Sequence, residues 1–255
     1  MISRYLLLIH IEVLSMAIVV PSSCKVPEIL INLDTLKFAF QPIFDVHTGD
    51  IFGHEALMRP AEHSPAEIIE AYAKADSLSK IEEITFYYGT KAFKEANLEG
   101  YLFLNTFPGT CMSIDMALKT AELGGPEMAN RFYIEILEYT KLDLFAWNMK
   151  RKAMSGTGAT PKIAIDDYGT GENTDLVCLD MYKPDLVKID RKYISQIDSN
   201  LEHQLVVANM IRTLKERGIK VLAEGVETEE EYNYLMHSDI DYMQGYYLGR
   251  PRIYQ

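Results

Sequence analysis

Ile163-Ala164-Ile165-Asp166-Asp167-Tyr168-Gly169-Thr170-Gly171 decides the fold: a short apolar run ends on two adjacent carboxylates and then a glycine-rich turn. A brief apolar run bounded by a turn reads as a buried strand, so the acids fall at its carboxyl end. Outward from this stretch the pattern repeats. Leu102-Phe103-Leu104 stops at Asn105, Phe132-Tyr133-Ile134 at Glu135, Val221-Leu222-Ala223 at Glu224 and Tyr242-Met243 at Gln244. Leu186-Val187 runs into Lys188-Ile189-Asp190. Each run ends on or near a residue that can hold a metal or move a proton. That is the layout of one site assembled from many strand ends.

The connections agree. Lys37 to Ile43 and Ile51 to Met58 read as strands joined at Thr48-Gly49-Asp50. They are antiparallel, because so short a link cannot cross over. Ser64-Pro65-Ala66-Glu67 has the serine cap, early proline and third-position glutamate of a helix start. Helical spacing then runs to about Asn97, interrupted near Asp76-Ser77. Arg217-Gly218 closes the helix that begins near Asn200, and Thr228-Glu229-Glu230-Glu231 opens the next. Strands centre near Phe38, Phe52, Phe103, Tyr133, Ala164, Val187, Leu222 and Met243. The later gaps are about thirty residues or less, the size of a βα unit. The expected fold class is α/β, a modified (β/α)8 TIM-type barrel with an antiparallel first strand. An open doubly wound sheet is the alternative, but no G-x-G-x-x-G turn follows an early strand. The barrel is expected over 33–255, with 1–32 an apolar leader or N-terminal helix.

The chain has 255 residues and a formal net charge of -12. So acidic a surface argues against a groove for long nucleic acid. It leaves room for a small phosphorylated ligand held through divalent cations. Cys24, Cys111 and Cys178 are too few and too far apart for a disulfide framework or a zinc site. The near-apolar run Tyr5 to Val20 is broken by His10 and Glu12 and is shorter than the roughly 20 residues of a spanning helix. It reads as a helix packed on the domain or a leader, with a membrane anchor or export signal as the competing reading. The expected location is cytoplasmic, and any membrane contact would pass through residues 5–20.

In a barrel, functional groups gather at the carboxyl ends of strands. Glu55, Asn105, Glu135 and Asp166 would then converge as hard oxygen donors, which select Mg²⁺ or Mn²⁺ over zinc. Asp166 and Asp167 can share one site only if the strand ends there, since neighbours on a strand face opposite ways. Two adjoining carboxylates can bridge two cations about 4 Å apart, the arrangement used for in-line attack on phosphorus. Lys188 sits in an otherwise apolar strand, where burial is costly unless it is paired. It is either a salt bridge with Asp190 or another acid, or a donor to a water or phosphoryl oxygen. Glu224 either binds a second cation through water or takes a proton from the attacking water. His54, His203 and His237 read as structural or solvated, Trp147 as packing, and Glu229-Glu230-Glu231 as a solvated first helical turn.

Together these motifs resemble a known family. Gln41-Pro42-Ile43 and Glu55-Ala56-Leu57-Met58-Arg59 are similar to the signature of EAL-domain cyclic di-GMP phosphodiesterases. The likeness continues through Leu104-Asn105, Glu135-Ile136-Leu137-Glu138, Asp166 to Gly171, Lys188-Ile189-Asp190, Ala223 to Glu227 and Gln244-Gly245-Tyr246. The resemblance implies a modified (β/α)8 barrel that hydrolyses cyclic di-GMP to linear pGpG with two Mg²⁺ or Mn²⁺ ions, Ca²⁺ being inhibitory. It implies that Glu55, Asn105, Glu135 and Asp166 bind one cation and that Asp166 and Asp167 share the second. Lys188, Glu224 and Gln244 would act on the hydrolytic water. Gln41, Leu57, Arg59, Asp190 and Glu227 would line the substrate groove, and Glu138 would anchor the loop after Asp167. A homodimer is implied as well.

The chain departs from the family pattern at Glu172-Asn173-Thr174, where an aromatic residue and serines are usual, at Leu137, and at Thr106-Phe107. Two other functions compete: an EAL-like receptor or interaction scaffold that does not cut, and a metal-dependent lyase using Lys188 as base. The complete set of acids speaks against the first. The paired aspartates and Arg59 speak against the second.

Overall fold

The computed structural model describes residues 26–137, 143–158, 160–170 and 176–254. The expectations for residues 1–25, for Glu138 and for the Glu172-Asn173-Thr174 loop lie outside these residues.

Eight strands, mostly apolar runs buried on both faces, close into a barrel in chain order. They are β1 (Lys37–Asp45), β2 (Ile51–Arg59), β3 (Tyr101–Thr106), β4 (Phe132–Ile136), β5 (Lys162–Tyr168), β6 (Leu186–Ile189), β7 (Lys220–Glu224) and β8 (Tyr242–Gln244). β1 is antiparallel to β2, with Gln41 opposite Glu55, and to β8 at Phe44 and Asp45. The remaining neighbours are parallel. The expected barrel, its antiparallel first strand and all eight strand positions are therefore present.

The helices follow their caps. Ser64 and Glu67 form a reciprocal capping box on α1 (Pro65–Lys74). α2 (Leu78–Glu95) starts separately because Asp76 sits at φ 53, outside helical geometry. α3 (Ile114–Gly124) and α4 (Leu144–Gly156) are capped by Ser113 and Asp143. α5 (Leu176–Tyr182) and the single turn α6 (Arg191–Ile194) flank β6. α7 (Leu201–Glu216) runs from its Asn200 cap to Arg217, and α8 (Glu229–Leu235) carries a Thr228/Glu231 capping box. No helix among the described residues is long and apolar enough to cross a membrane. Ile29 and Ile31, ahead of β1, pack against the outer core.

The barrel floor is an apolar plug of Ile43, Phe103, Tyr133, Ala164, Leu186, Leu222 and Tyr242, with Phe52 and Tyr101 packed against it. Phe103 and Tyr133 stack with ring centroids 4.4 Å apart, and Phe52 stacks on Tyr242 at 4.0 Å. Such pairs add about 0.5–1.5 kcal/mol beyond the area they bury. Gly53 belongs to the same layer. A Cβ there would lie 2.6 Å from the Tyr101 carbonyl oxygen and 3.0 Å from the Phe103 ring. The plug closes one end, so polar groups in the next layer can open only toward the other.

Candidate active site

One step of two residues beyond the plug, every strand contributes a polar side chain. Phe103 leads to Asn105, Tyr133 to Glu135, Ala164 to Asp166, Leu186 to Lys188, Leu222 to Glu224 and Tyr242 to Gln244. Gly53 leads to Glu55, and on the antiparallel β1 the step runs backward from Ile43 to Gln41. Alternation along a strand keeps both members of each pair on the inner face.

Lys188 stands at the centre and is fully buried. Its Nζ lies 2.8 Å from Asp166 Oδ1, 3.1 Å from Glu135 Oε1, 3.3 Å from Glu224 Oε2 and 3.4 Å from Glu55 Oε2. Of the two readings of Lys188 as an ion pair, the partners are these four acids, not Asp190. Gln244 Nε2 donates to Glu55 Oε2 at 2.7 Å. Gly245 lets Gln244 sit there, because a Cβ at that position would run into the Val226 backbone.

Four carboxylates around one ammonium leave the cluster short of positive charge. Burial alone would push the Lys188 ammonium down, but Asp166 and the other acids override it and hold it well above its ordinary value. Glu135 is driven well above the usual carboxylate range by burial and then by Glu55, against the pull of Lys188. Glu224 is raised chiefly by burial, with Asp166 and Glu55 repelling it and Lys188 opposing. Asn105 Oδ1, Glu135 Oε2 and Gln244 Oε1 are buried without a hydrogen-bond donor among the described residues. Orphaned buried oxygens call for an explanation, and a hard cation supplies one. The donor set therefore fits a hard divalent cation.

Asp167 joins the site by a route different from the strand end that its position suggests. β5 continues to Tyr168, and its register with β6 slips between Ile165 and Tyr168. This β-bulge puts Asp167 at φ 51, a left-handed conformation that aspartate tolerates. Its carboxylate then lies with those of Asp166 and Glu224, all within 4.8 Å of one another, a spacing that can hold a cation. Burial first, then the Asp166 charge and a hydrogen bond with Asp190, push the Asp167 carboxyl up to about 7.

The sequence profile described as "EAL domain" matches residues 27–251. The chain belongs to the EAL family. This EAL chain is 30% identical over 239 residues to "Probable cyclic di-GMP phosphodiesterase PdeN" of Escherichia coli strain K12, covering 87% of this chain and 44% of that protein. It is 34% identical over 116 residues to "Probable cyclic di-GMP phosphodiesterase PdeD" of the same organism, covering 46% of this chain and 22% of that protein. It thus spans less than half the length of these curated relatives. Among solved structures it is similar to the calcium/cy-diGMP complex of Klebsiella pneumoniae BlrP1, with TM-score 0.72, 27% identity and coverage of 87% and 57% of the two chains. It is also similar to the c-di-GMP-bound standalone EAL protein of Vibrio cholerae O395, with TM-score 0.71, 25% identity and coverage of 87% and 94%.

Around the mouth of this EAL barrel the remaining expected residues divide. Gln41 faces Glu55 and is held by its Nε2 donating to the Gly249 carbonyl at 3.1 Å. Leu57 and Arg59 follow Glu55 on the same face of β2, and the Arg59 guanidinium donates to the Met58 carbonyl. Asp190 caps α6 through Lys192 N at 2.8 Å. Glu227 accepts from Arg191 at 2.7 Å, beside the mouth. His54 is buried against Phe93 with its Nδ1 on the Glu99 carbonyl, and Trp147 is buried edge-on to Tyr182, so both pack as expected.

One expectation fails outright. Glu231 is buried, not solvated: its carboxylate accepts from the amides of Gln196, Glu227 and Thr228 and ties α8 to the loop after β7. Sequence reasoning also missed the fully buried Glu82–Lys150 pair outside the barrel. Charged residues on amphipathic helices look solvated one by one, and only their tertiary pairing distinguishes these two.

Proposed function

We propose that this EAL protein is a metal-dependent phosphodiesterase that hydrolyses cyclic di-GMP to linear pGpG in bacterial second-messenger signalling. The observation that carries this reading is the charge imbalance around Lys188: four acids within 3.4 Å of one ammonium, with buried donor oxygens to spare. Glu55, Asn105, Glu135 and Asp166 would hold one cation, and Asp166 and Asp167, with Glu224 beside them, the other. When bound, the cations offset the substrate's negative charge and make water a competent nucleophile at neutral pH.

The chain's own residues supply the rest. Glu224, largely buried but reaching the mouth, accepts the proton of the attacking water. Lys188 donates from the floor of the site toward that water and the developing phosphoryl charge. Gln244, fixed by its bond to Glu55, orients the same water. Arg59 meets a substrate phosphate at the rim, with Gln41 and Leu57 beside it. Asp190 and Glu227 support the opposite rim through α6 and Arg191. The substrate names carried by the relatives and by the BlrP1 complex support the nucleotide chosen here. A homodimer belongs to this reading, and the exposed Leu176 and Val177 at the start of α5 are consistent with it.

Turnover of cyclic di-GMP in Mg²⁺ or Mn²⁺, beside Glu55→Ala and Ca²⁺ controls, tests the proposal. Release of pGpG that Glu55→Ala abolishes is the expected result. Ca²⁺ takes more ligands at longer distances, so it should fill the site and inhibit. Saturable binding without cleavage would replace the enzyme by a receptor.

A further inference from the structure

Behind β3, on the outer face of the barrel wall, lies a second buried lysine. Lys150 of α4 is wholly buried, as is its partner Glu82 of α2, and the two meet at 2.8 Å. Both close on one short piece of backbone. Lys150 Nζ donates to Thr106 Oγ1 at 2.6 Å and to the Phe107 carbonyl at 2.7 Å. Glu82 Oε2 accepts from Thr106 Oγ1 at 2.7 Å, from the Phe107 amide at 3.0 Å and from Thr110 Oγ1 at 2.8 Å. The Thr106 carbonyl in turn accepts from the Leu137 amide at 3.1 Å, just past the end of β4.

Thr106 directly follows Asn105, so its side chain points out of the barrel while Asn105 points in. Asn105 is the one neutral side chain in the proposed first cation set, and its buried Oδ1 has no donor among the described residues to hold it. Stability alone does not require a buried ion pair there, since well-packed apolar residues usually serve as well or better. What the pair adds is direction: it fixes both the amide and carbonyl side of the Thr106-Phe107 segment. We infer that Glu82 and Lys150 are positioning residues, which hold the carboxyl end of β3 so that Asn105 presents its oxygen to a cation beside Glu135. The inference rests on the reading of Asn105 as a cation ligand.

The test replaces the pair by apolar residues, Glu82→Leu/Lys150→Leu, and compares it with Thr106→Val, which removes only the hydroxyl. Thermal melting, Mn²⁺ titration by calorimetry, cyclic di-GMP kinetics and hydrogen exchange at the Leu137 amide are measured on each. The expected double variant melts near the wild type but binds Mn²⁺ about 10- to 100-fold more weakly, the usual loss when a partner behind a metal ligand is removed. Its kcat falls while KM holds, and Leu137 exchanges faster. Thr106→Val shifts Mn²⁺ affinity the same way, and it decides the matter if the double variant does not fold. Wild-type Mn²⁺ affinity and kcat in a folded variant would overturn the inference. If the wild type itself binds no Mn²⁺, the proposed function fails. The inference, which rests on Asn105 as a cation ligand, is then overturned with it, whereas a wild type that binds Mn²⁺ beside a folded variant of equal affinity overturns the inference alone.

Discussion

Two fully buried lysines differ in the company they keep. Lys150 meets one carboxylate, and its other neighbours are hydroxyls and a carbonyl, so charge is balanced and its donors are engaged. Lys188 meets four carboxylates, and Asn105 Oδ1 and Gln244 Oε1 in the same layer have no hydrogen-bond donor among the described residues. Burial pulls the Lys150 ammonium below its ordinary value despite Glu82, whereas the acids around Lys188 raise it far above. A buried pair is balanced in charge as it stands, even though Glu82 Oε1 has no hydrogen-bond partner among the described residues. A buried cluster with surplus anions is complete only with cations, and that surplus distinguishes a site from a strut.

The largest effect should come from breaking the unbalanced cluster. Glu135→Gln is expected to lower turnover by about 10³-fold or more, the upper range for losing one fixed electrostatic contact, or about 4 kcal/mol. The metal-free variant should melt no lower than the wild type, because one of the repelling carboxylates is gone. A large drop in melting temperature would mean that the four acids are structural partners of Lys188.

The balanced pair should respond in the opposite way. Lys150→Met leaves Glu82 buried without its cation, which costs about 3–5 kcal/mol. For a domain this large that is a fall of about 6–20 °C in thermal melting. A loss below about 1 kcal/mol would mean that water reaches the pair. Mn²⁺ sharpens the contrast. At 100 times its dissociation constant it should stabilise the wild type by about 2.7 kcal/mol, reversibly with a chelator. Glu135→Gln should lose most of this gain. Lys150→Met should keep it at higher Mn²⁺ concentrations.

The difference between the two lysines also explains what could be read from the sequence. Each inward residue of the site follows an apolar strand core by a fixed step, so Asn105, Glu135, Asp166, Lys188, Glu224 and Gln244 stand out along the chain. Strand periodicity brings them together whatever the helices do. Glu82 and Lys150 are 68 residues apart on two helices whose other charged residues are exposed or half-buried. Nothing local separates them from Glu83 or Arg151. Glu231 was misread for the same reason, since a run of three glutamates conceals which one turns inward. The bulge at Asp167 was half legible: two adjacent acids required a break in alternation, but whether by strand end or by extra residue depends on the register with β6.

The smallest effect belongs to the opposite end of the barrel, where a buried acid lies between two lysines, one of which also pairs with Asp239. Asp241, just before β8, is a buried carboxylate facing two ammoniums. It accepts from Lys220 Nζ, Lys215 Nζ and the Val221 amide, each at 2.8 Å. Burial works to raise this carboxyl, but the bonds to Lys215, Lys220 and Val221 together hold it below its ordinary value. A depressed folded-state value means that ionised Asp241 stabilises the fold. The contribution is full above the unfolded value of about 3.9 and is lost as pH falls through the folded value. Lys220 is half exposed, so solvent screens that bond, and an asparagine can still accept from Val221. Asp241→Asn should therefore cost about 1 kcal/mol, or about 2–4 °C, at neutral pH. Melting curves of the two proteins should converge as pH drops below about 4. A gap that persists unchanged in acid would make Asp241 a hydrogen-bonding residue whose charge is irrelevant, and a buried acid between two ammoniums would then carry none of the meaning that surplus acids carry around Lys188.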